Sequence, residues 1–204
     1  MEKNCKYILW DLDGTLTDPM IGITTCVQYA LRHLGIEVKD LQELCPFIGP
    51  PLLDSFQEFY RLSEAQAQEA ILKYRERFAT VGWLENEVYP GIPELLRDLK
   101  AAGYGVWGLT NWSHETFHFA FEKFPQLAEL LQGTIVSGVE KMHKPNADIY
   151  ELAMSRFGLS PESSVFLDDT AKNVAGARSA GMHAFRFVDA DQARRDLESL
   201  GVRV

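Results

Sequence analysis

The sequence predicts an α/β protein: a doubly wound parallel sheet interrupted by an inserted helical segment. Three observations carry that expectation. From Pro90 onward, short apolar runs alternate with helical patterns. Before it, residues 19–80 show helical periodicity and no strand pattern. Finally, four of the apolar runs lead into chemistry-bearing residues: two aspartates, Thr-Asn, a pair of lysines, and Asp-Asp.

Taken in order, Lys6–Trp10 reads as a short buried strand. "ITTCVQYALRHLG" repeats apolar residues at helical spacing and stops at Gly35. "PLLDSFQEFY" makes a second helix with Pro50 and Pro51 near its start, and "SEAQAQEAILKYRERFAT" a third with Ser63 as N-cap. Then come a helix in "GIPELLRDLKAAG", a strand in "YGVWGLT", a helix in "SHETFHFAFEKF" and a strand in "GTIVSG". "PNADIYELAMSRFG" is a helix, "SSVFLDD" a strand, "AKNVAGARSAG" a helix and "HAFRF" a strand, before a last helix through Ala193 to Leu200. The expected division is an α/β core from residues 1–17 and 88–204, with a helical insertion at 18–87.

The chain of 204 residues is 46% hydrophobic, enough for a sizeable core. Its formal charge of -9 argues against a nucleic-acid or anionic-membrane surface as main partner. No apolar run approaches membrane-span length. Cys5, Cys26 and Cys45 are odd in number and form no C-x-x-C pair, which suits a reducing, cytoplasmic compartment.

Open parallel sheets bind ligands outside the carboxyl ends of their strands. A packed sheet therefore gathers Asp11 and Asp13, Thr110 and Asn111, Lys141 and Lys144, and Asp168 and Asp169. Clustered carboxylates repel by on the order of several kcal/mol per close pair at an effective dielectric near 20, so protons or a cation must join them. A hard divalent ion with oxygen ligands suits them, and Mg²⁺ is the default. Such an ion beside a lysine and hydroxyl donors makes a receptor for a phosphoryl group. One aspartate of the first pair could attack phosphorus while the other passes protons.

The four ordered motifs "DLDGTLT", "LTN", "HKP" and "FLDDTAKN" resemble the haloacid dehalogenase (HAD) superfamily in its phosphatase-type branch, over nearly the whole chain. The resemblance implies a Rossmann-like core with a helical cap. It makes Asp11 the nucleophile that forms an aspartyl-phosphate and Asp13 the general acid/base, whose carbonyl also holds Mg²⁺. Thr110 and Asn111 become phosphate-contacting groups, and Lys144 the lysine that screens Asp11. Asp169 becomes a direct metal ligand, with Asp168 assisting it. Asn173 stands where many relatives carry another acid. The N-terminal motifs, with "PFIGPPLLDSF" and "ENEVYPGI", are similar to phosphoglycolate-phosphatase-like proteins. The substrate implied is a small phosphorylated metabolite.

Other readings compete. Asp-Gly is a turn signal, Asp169 can cap the next helix, and Thr110-Asn111 can be turn chemistry leading to Ser113 as an N-cap. Lys141 rivals Lys144, whose adjoining proline favours it. A 2-haloacid dehalogenase of the same superfamily would not need Asp13, because a halide leaves without a proton. A phosphoglucomutase-type phosphotransferase would use the same aspartyl-phosphate. Residues 114–118 read "HETFH", the H-E-x-x-H of zinc proteases, with Glu115 as base, but no third ligand follows. A noncatalytic binding protein would have no need of the complete acid set.

Overall fold

The computed structural model describes residues 5–48, 50–114 and 116–204. The chain divides into two compact units, Met1–Thr17 with Val88–Val204, and Asp18–Glu87.

The first unit begins with β1 (Tyr7–Trp10), an unbroken apolar strand in which Ile8, Leu9 and Trp10 are wholly buried. A strand covered on both faces needs no polar alternation. The chain leaves this unit at β2 (Thr17–Asp18) and returns at β3 (Glu87–Val88), two-residue strands that pair with each other. Between them lie α1 (Met20–His33), a 3₁₀ helix over Leu41–Phe47, α2 (Leu52–Tyr60), α3 (Glu64–Thr80) and a 3₁₀ turn over Gly82–Glu85. After β3 come α4 (Ile92–Ala101), β4 (Gly105–Thr110), α5 (Phe117–Lys123), α6 (Pro125–Leu130) and β5 (Thr134–Val136). The remainder is α7 (Ser137–Glu140), α8 (Ala147–Phe157), β6 (Ser164–Asp168), α9 (Ala171–Ser179), β7 (His183–Arg186) and α10 (Ala190–Ser199).

The main sheet has the order β5-β4-β1-β6-β7, with every pairing parallel. The first strand is central. The chain builds outward through β4 and β5, then crosses back to add β6 and β7 on the other side. That reversal is the topological switch point of a doubly wound sheet, where ligands bind. Alternate side chains feed two cores. Ile8, Trp10, Val165 and Leu167 face α4, α6 and α10, packing with Leu95, Leu99, Leu127 and Leu197. Leu9, Leu109 and Phe166 face α8 and α9, packing with Ile149, Tyr150, Ala153 and Val174.

The helical unit has its own core of Val27, Leu31, Leu44, Phe47, Phe56, Ala67, Ala70 and Ile71. Ser63 caps α3 through a reciprocal capping box with Gln66, as the sequence predicts. Arg77 grips Glu85 through two hydrogen bonds of 2.7 Å.

Three local expectations change. The single helix expected over Ser113–Phe124 starts only at Phe117, and a second helix follows at Pro125. The Trp112 carbonyl accepts instead from the N–H of Gly138 at 3.1 Å, a tertiary bond rather than a helical one. The 3₁₀ helix over Leu41–Phe47, with Pro46 inside it, had no counterpart in the sequence pattern.

Candidate active site

The site is built from the turn after β1 outward. Asp11 follows the last strand residue, and its N–H continues the ladder to Leu167 of β6 at 2.9 Å. The chain then turns tightly. The N–H groups of Thr15, Leu16 and Thr17 all converge on the Leu12 carbonyl, at 2.8–3.1 Å. Gly14 makes the turn possible at φ +93°, and a β-carbon there would lie 2.8 Å from the Asp169 carboxyl carbon. Glycine thus lets two acidic loops approach each other. Thr15 joins them directly, its hydroxyl accepting from the Asp169 N–H at 3.1 Å.

Lys144 is the hub. It is 3% exposed, and its ammonium donates to Asp11 at 2.5 Å and to Asp168 at 2.7 Å. The ammonium also lies over the Phe166 ring, 5.2 Å from its centroid. Lys141, the rival, is exposed at the C-terminus of α7. Asp168 is fully buried. Besides Lys144, it accepts from the Thr170 N–H at 2.8 Å and from the Asn173 amide at 3.0 and 3.1 Å. Tyr150 fixes α9 in turn, its hydroxyl donating to the Asn173 carbonyl at 2.7 Å.

Asn111 lies just beyond β4, and its side chain bonds both backbone groups of Lys144. It accepts from the Lys144 N–H at 2.9 Å and donates to the Lys144 carbonyl at 3.0 Å. Thr110 is buried at the end of β4, in register with Val136 of β5. Asp13 is half-buried and accepts a long contact from the Thr17 hydroxyl, at 3.5 Å.

Electrostatics explain why the cluster needs company. Burial pushes the Asp11 carboxyl up, Lys144 pulls it back, and Asp168 and Asp169 push it up again, leaving it at about 7. Burial and then Asp168 likewise raise Asp169. Burial alone would lower Lys144, but Asp11 and Asp168 together outweigh it and hold the ammonium charged. One lysine does not neutralise three carboxylates.

Asp11, Asp168 and Asp169 bring carboxylate oxygens within 4.8 Å of one another. These hard oxygen donors fit a divalent cation such as Mg²⁺, which would supply the missing positive charge.

A family model for haloacid dehalogenase-like hydrolases matches residues 8–187. The chain belongs to that family. A 5'-nucleotidase of Pseudomonas aeruginosa is 40% identical to it over 86% of this chain and 79% of its own. The tyrosine-protein kinase PtkA of Mycobacterium tuberculosis is 31% identical over 87% of this chain, which spans only 60% of that protein. A haloacid dehalogenase-like hydrolase structure from Streptococcus pneumoniae superposes with a TM-score of 0.75 at 30% identity, over 97% of this chain and 91% of its own.

Within this dehalogenase-like fold the sequence-predicted residues separate into two sets. Asp11, Lys144, Asp168 and Asp169 meet, with Asn111 joined through Lys144. The carboxylate of Asp13 is not in the three-carboxylate group found among the described residues. Thr15, Tyr150 and Phe166 support the site without having been singled out in the sequence. Thr15, inside "DLDGTLT", and Phe166, which opens "FLDDTAKN", lay in recognisable motifs; Tyr150 did not. His114 lies in a turn before α5, and His118 sits on α5 with its ring 4.0 Å from that of Phe119. Neither is in the metal-competent group found among the described residues, and Glu115 lies outside those residues.

Proposed function

We propose that this hydrolase is a Mg²⁺-dependent phosphatase that cleaves a small phosphate monoester through an aspartyl-phosphate on Asp11. One observation supports this above all: a buried carboxylate at a strand end, paired with a buried lysine at 2.5 Å and set among further carboxylates. Asp11 and Asp169, the Asp13 carbonyl and, directly or through water, Asp168 would hold the ion. When bound, it neutralises charge on the phosphoryl oxygens.

The chain's own groups do the rest. Lys144 favours the ionised form of Asp11 against its burial and offsets its repulsion for the incoming phosphoryl dianion. An Asp11 carboxylate oxygen attacks phosphorus as the bond from phosphorus to the leaving oxygen breaks. Asp13, protonated, gives its proton to that oxygen. The Asp13 carboxylate then takes a proton from water. The water oxygen attacks phosphorus, the bond to Asp11 breaks, and inorganic phosphate and free Asp11 are restored. Thr110 contributes a hydroxyl donor to the phosphoryl group.

The helical unit, residues 18–87, is assigned the role of cap, discriminating between leaving groups. The nucleotidase relative makes nucleoside 5'-monophosphates the first substrates to try. The three free cysteines suit the cytoplasm as the place of action.

The test is a screen of phosphorylated metabolites with Mg²⁺ and with excess EDTA. Phosphate release should vanish on chelation and return when Mg²⁺ is restored. Full activity in EDTA would overturn the metal-dependent reading.

A further inference from the structure

We infer that Asn111 is a positioning residue for Lys144, and that its side chain does not bind the phosphoryl group. This deepens the phosphatase reading and rests on the role given there to Lys144.

Three observations converge. First, both ends of the Asn111 amide are engaged by a single residue: its oxygen takes the Lys144 N–H and its nitrogen gives to the Lys144 carbonyl. This is how a neighbouring strand would hold that residue, yet the two positions lie 33 residues apart in sequence. Second, the rest of the lysine is seated as tightly. Its ammonium is pinned by Asp11 and Asp168, and Asp168 is saturated by Thr170 and Asn173. Third, the next residue rests against α9. A β-carbon on Gly176 would lie 2.5 Å from the Pro145 carbonyl oxygen, so only glycine allows that approach.

Lys144 thus sits in a loop with no sheet ladder of its own, and Asn111 ties that loop to the end of β4. An amide turned toward phosphate would have to release both bonds to Lys144. The consequence is catalytic. A lysine 1 Å out of place no longer meets both Asp11 and an incoming phosphoryl oxygen.

The experiment is a double-mutant cycle in the full chain. Asn111→Ala and Asn111→Ser are made singly and together with Lys144→Ala. Measurements are kcat on an aryl phosphate and, by calorimetry with Mg²⁺ present, the Kd of inorganic phosphate. Circular dichroism checks the fold of each variant. With Lys144 present, both Asn111 variants should lower kcat by about 10- to 100-fold. Without Lys144, they should change neither constant by more than about threefold. Serine should behave like alanine, because it keeps a hydroxyl for phosphate but cannot span two backbone groups. If the Asn111 effect persists undiminished in Lys144→Ala, or if serine restores phosphate binding, Asn111 touches phosphate itself and the inference fails while the role of Lys144 stands. A Lys144→Ala protein with normal kcat and Kd would overturn both.

Discussion

The two units differ in what their polar groups do. In the α/β unit, Asp11 and Asp168 are buried and both bonded to the buried Lys144, and burial sharpens their electrostatics. In the helical unit, the Arg77–Glu85 pair is only partly buried, and Asp40 and Ser63 cap helix ends. Apolar exposure runs the other way. Ile21, Tyr29, Phe59, Leu72, Val81 and Leu84 are exposed on the smaller helical unit, against Val139 and Val188 on the larger one. A fixed constellation of charges suits a reaction common to all phosphate monoesters. A helical bundle with an adaptable surface suits discrimination, because its face can change without disturbing buried charge.

The comparison breaks most sharply at the opening aspartates. Asp11→Asn should abolish turnover, by at least about 10⁴-fold, because an amide cannot serve as the nucleophile. Asp13→Asn should cost on the order of 10²–10⁴-fold in kcat while phosphate binding survives. Phosphate-release assays and trapping of the acyl-phosphate check both. Near-normal turnover in either folded variant would remove the α/β unit's claim to the chemistry.

A medium effect concerns stability and pH. Asp169 has a raised carboxyl pKa, so ionising it is harder in the folded chain than in the unfolded one. Its contribution to stability is therefore full below the ordinary carboxylate value of about 4 and is lost as pH rises through its folded value. Without metal, Asp169→Asn should melt increasingly above the wild type as pH is raised. Mg²⁺ should raise the melting temperature of the wild type more than that of the variant. A melting difference independent of pH would sink the assignment of burial and like charge as the cause.

The smallest effect belongs to the helical unit. Leu53, on α2, is half-buried against that unit's own core. Leu53→Arg should move substrate preference a few-fold toward anionic leaving groups, while an aryl phosphate is hydrolysed as before. A uniform change across all substrates would show that discrimination lies elsewhere.

The strands and the acidic motifs were legible because both are local. Short apolar runs mark β1, β4 and β6, and "DLDGT", "LTN" and "FLDD" mark their ends. Lys144 was legible through its adjoining proline. The resemblance implied a phosphate contact for Asn111, while its bonds to the backbone of Lys144, 33 residues away, require the fold. Asn173 stood out only as a departure from an acid, and its bonds to Asp168 require the fold. The break between α5 and α6 had a readable signal in Pro125, since the residue before proline disfavours helix. The 3₁₀ helix carries no periodicity long enough to read.

Placing β1 at the centre of the sheet has a consequence for how the enzyme comes into being. Tyr7 pairs with Gly105 on one side and with Ser164 on the other. During synthesis the first strand emerges early, yet it acquires its second neighbour only after most of the chain has left the ribosome. Asp11 is therefore made before its partners: Lys144 follows in the loop after α7, and Asp168 only with β6. A chain cut before β6 carries Asp11 without Asp168, and the buried charge cluster becomes a property of the finished fold.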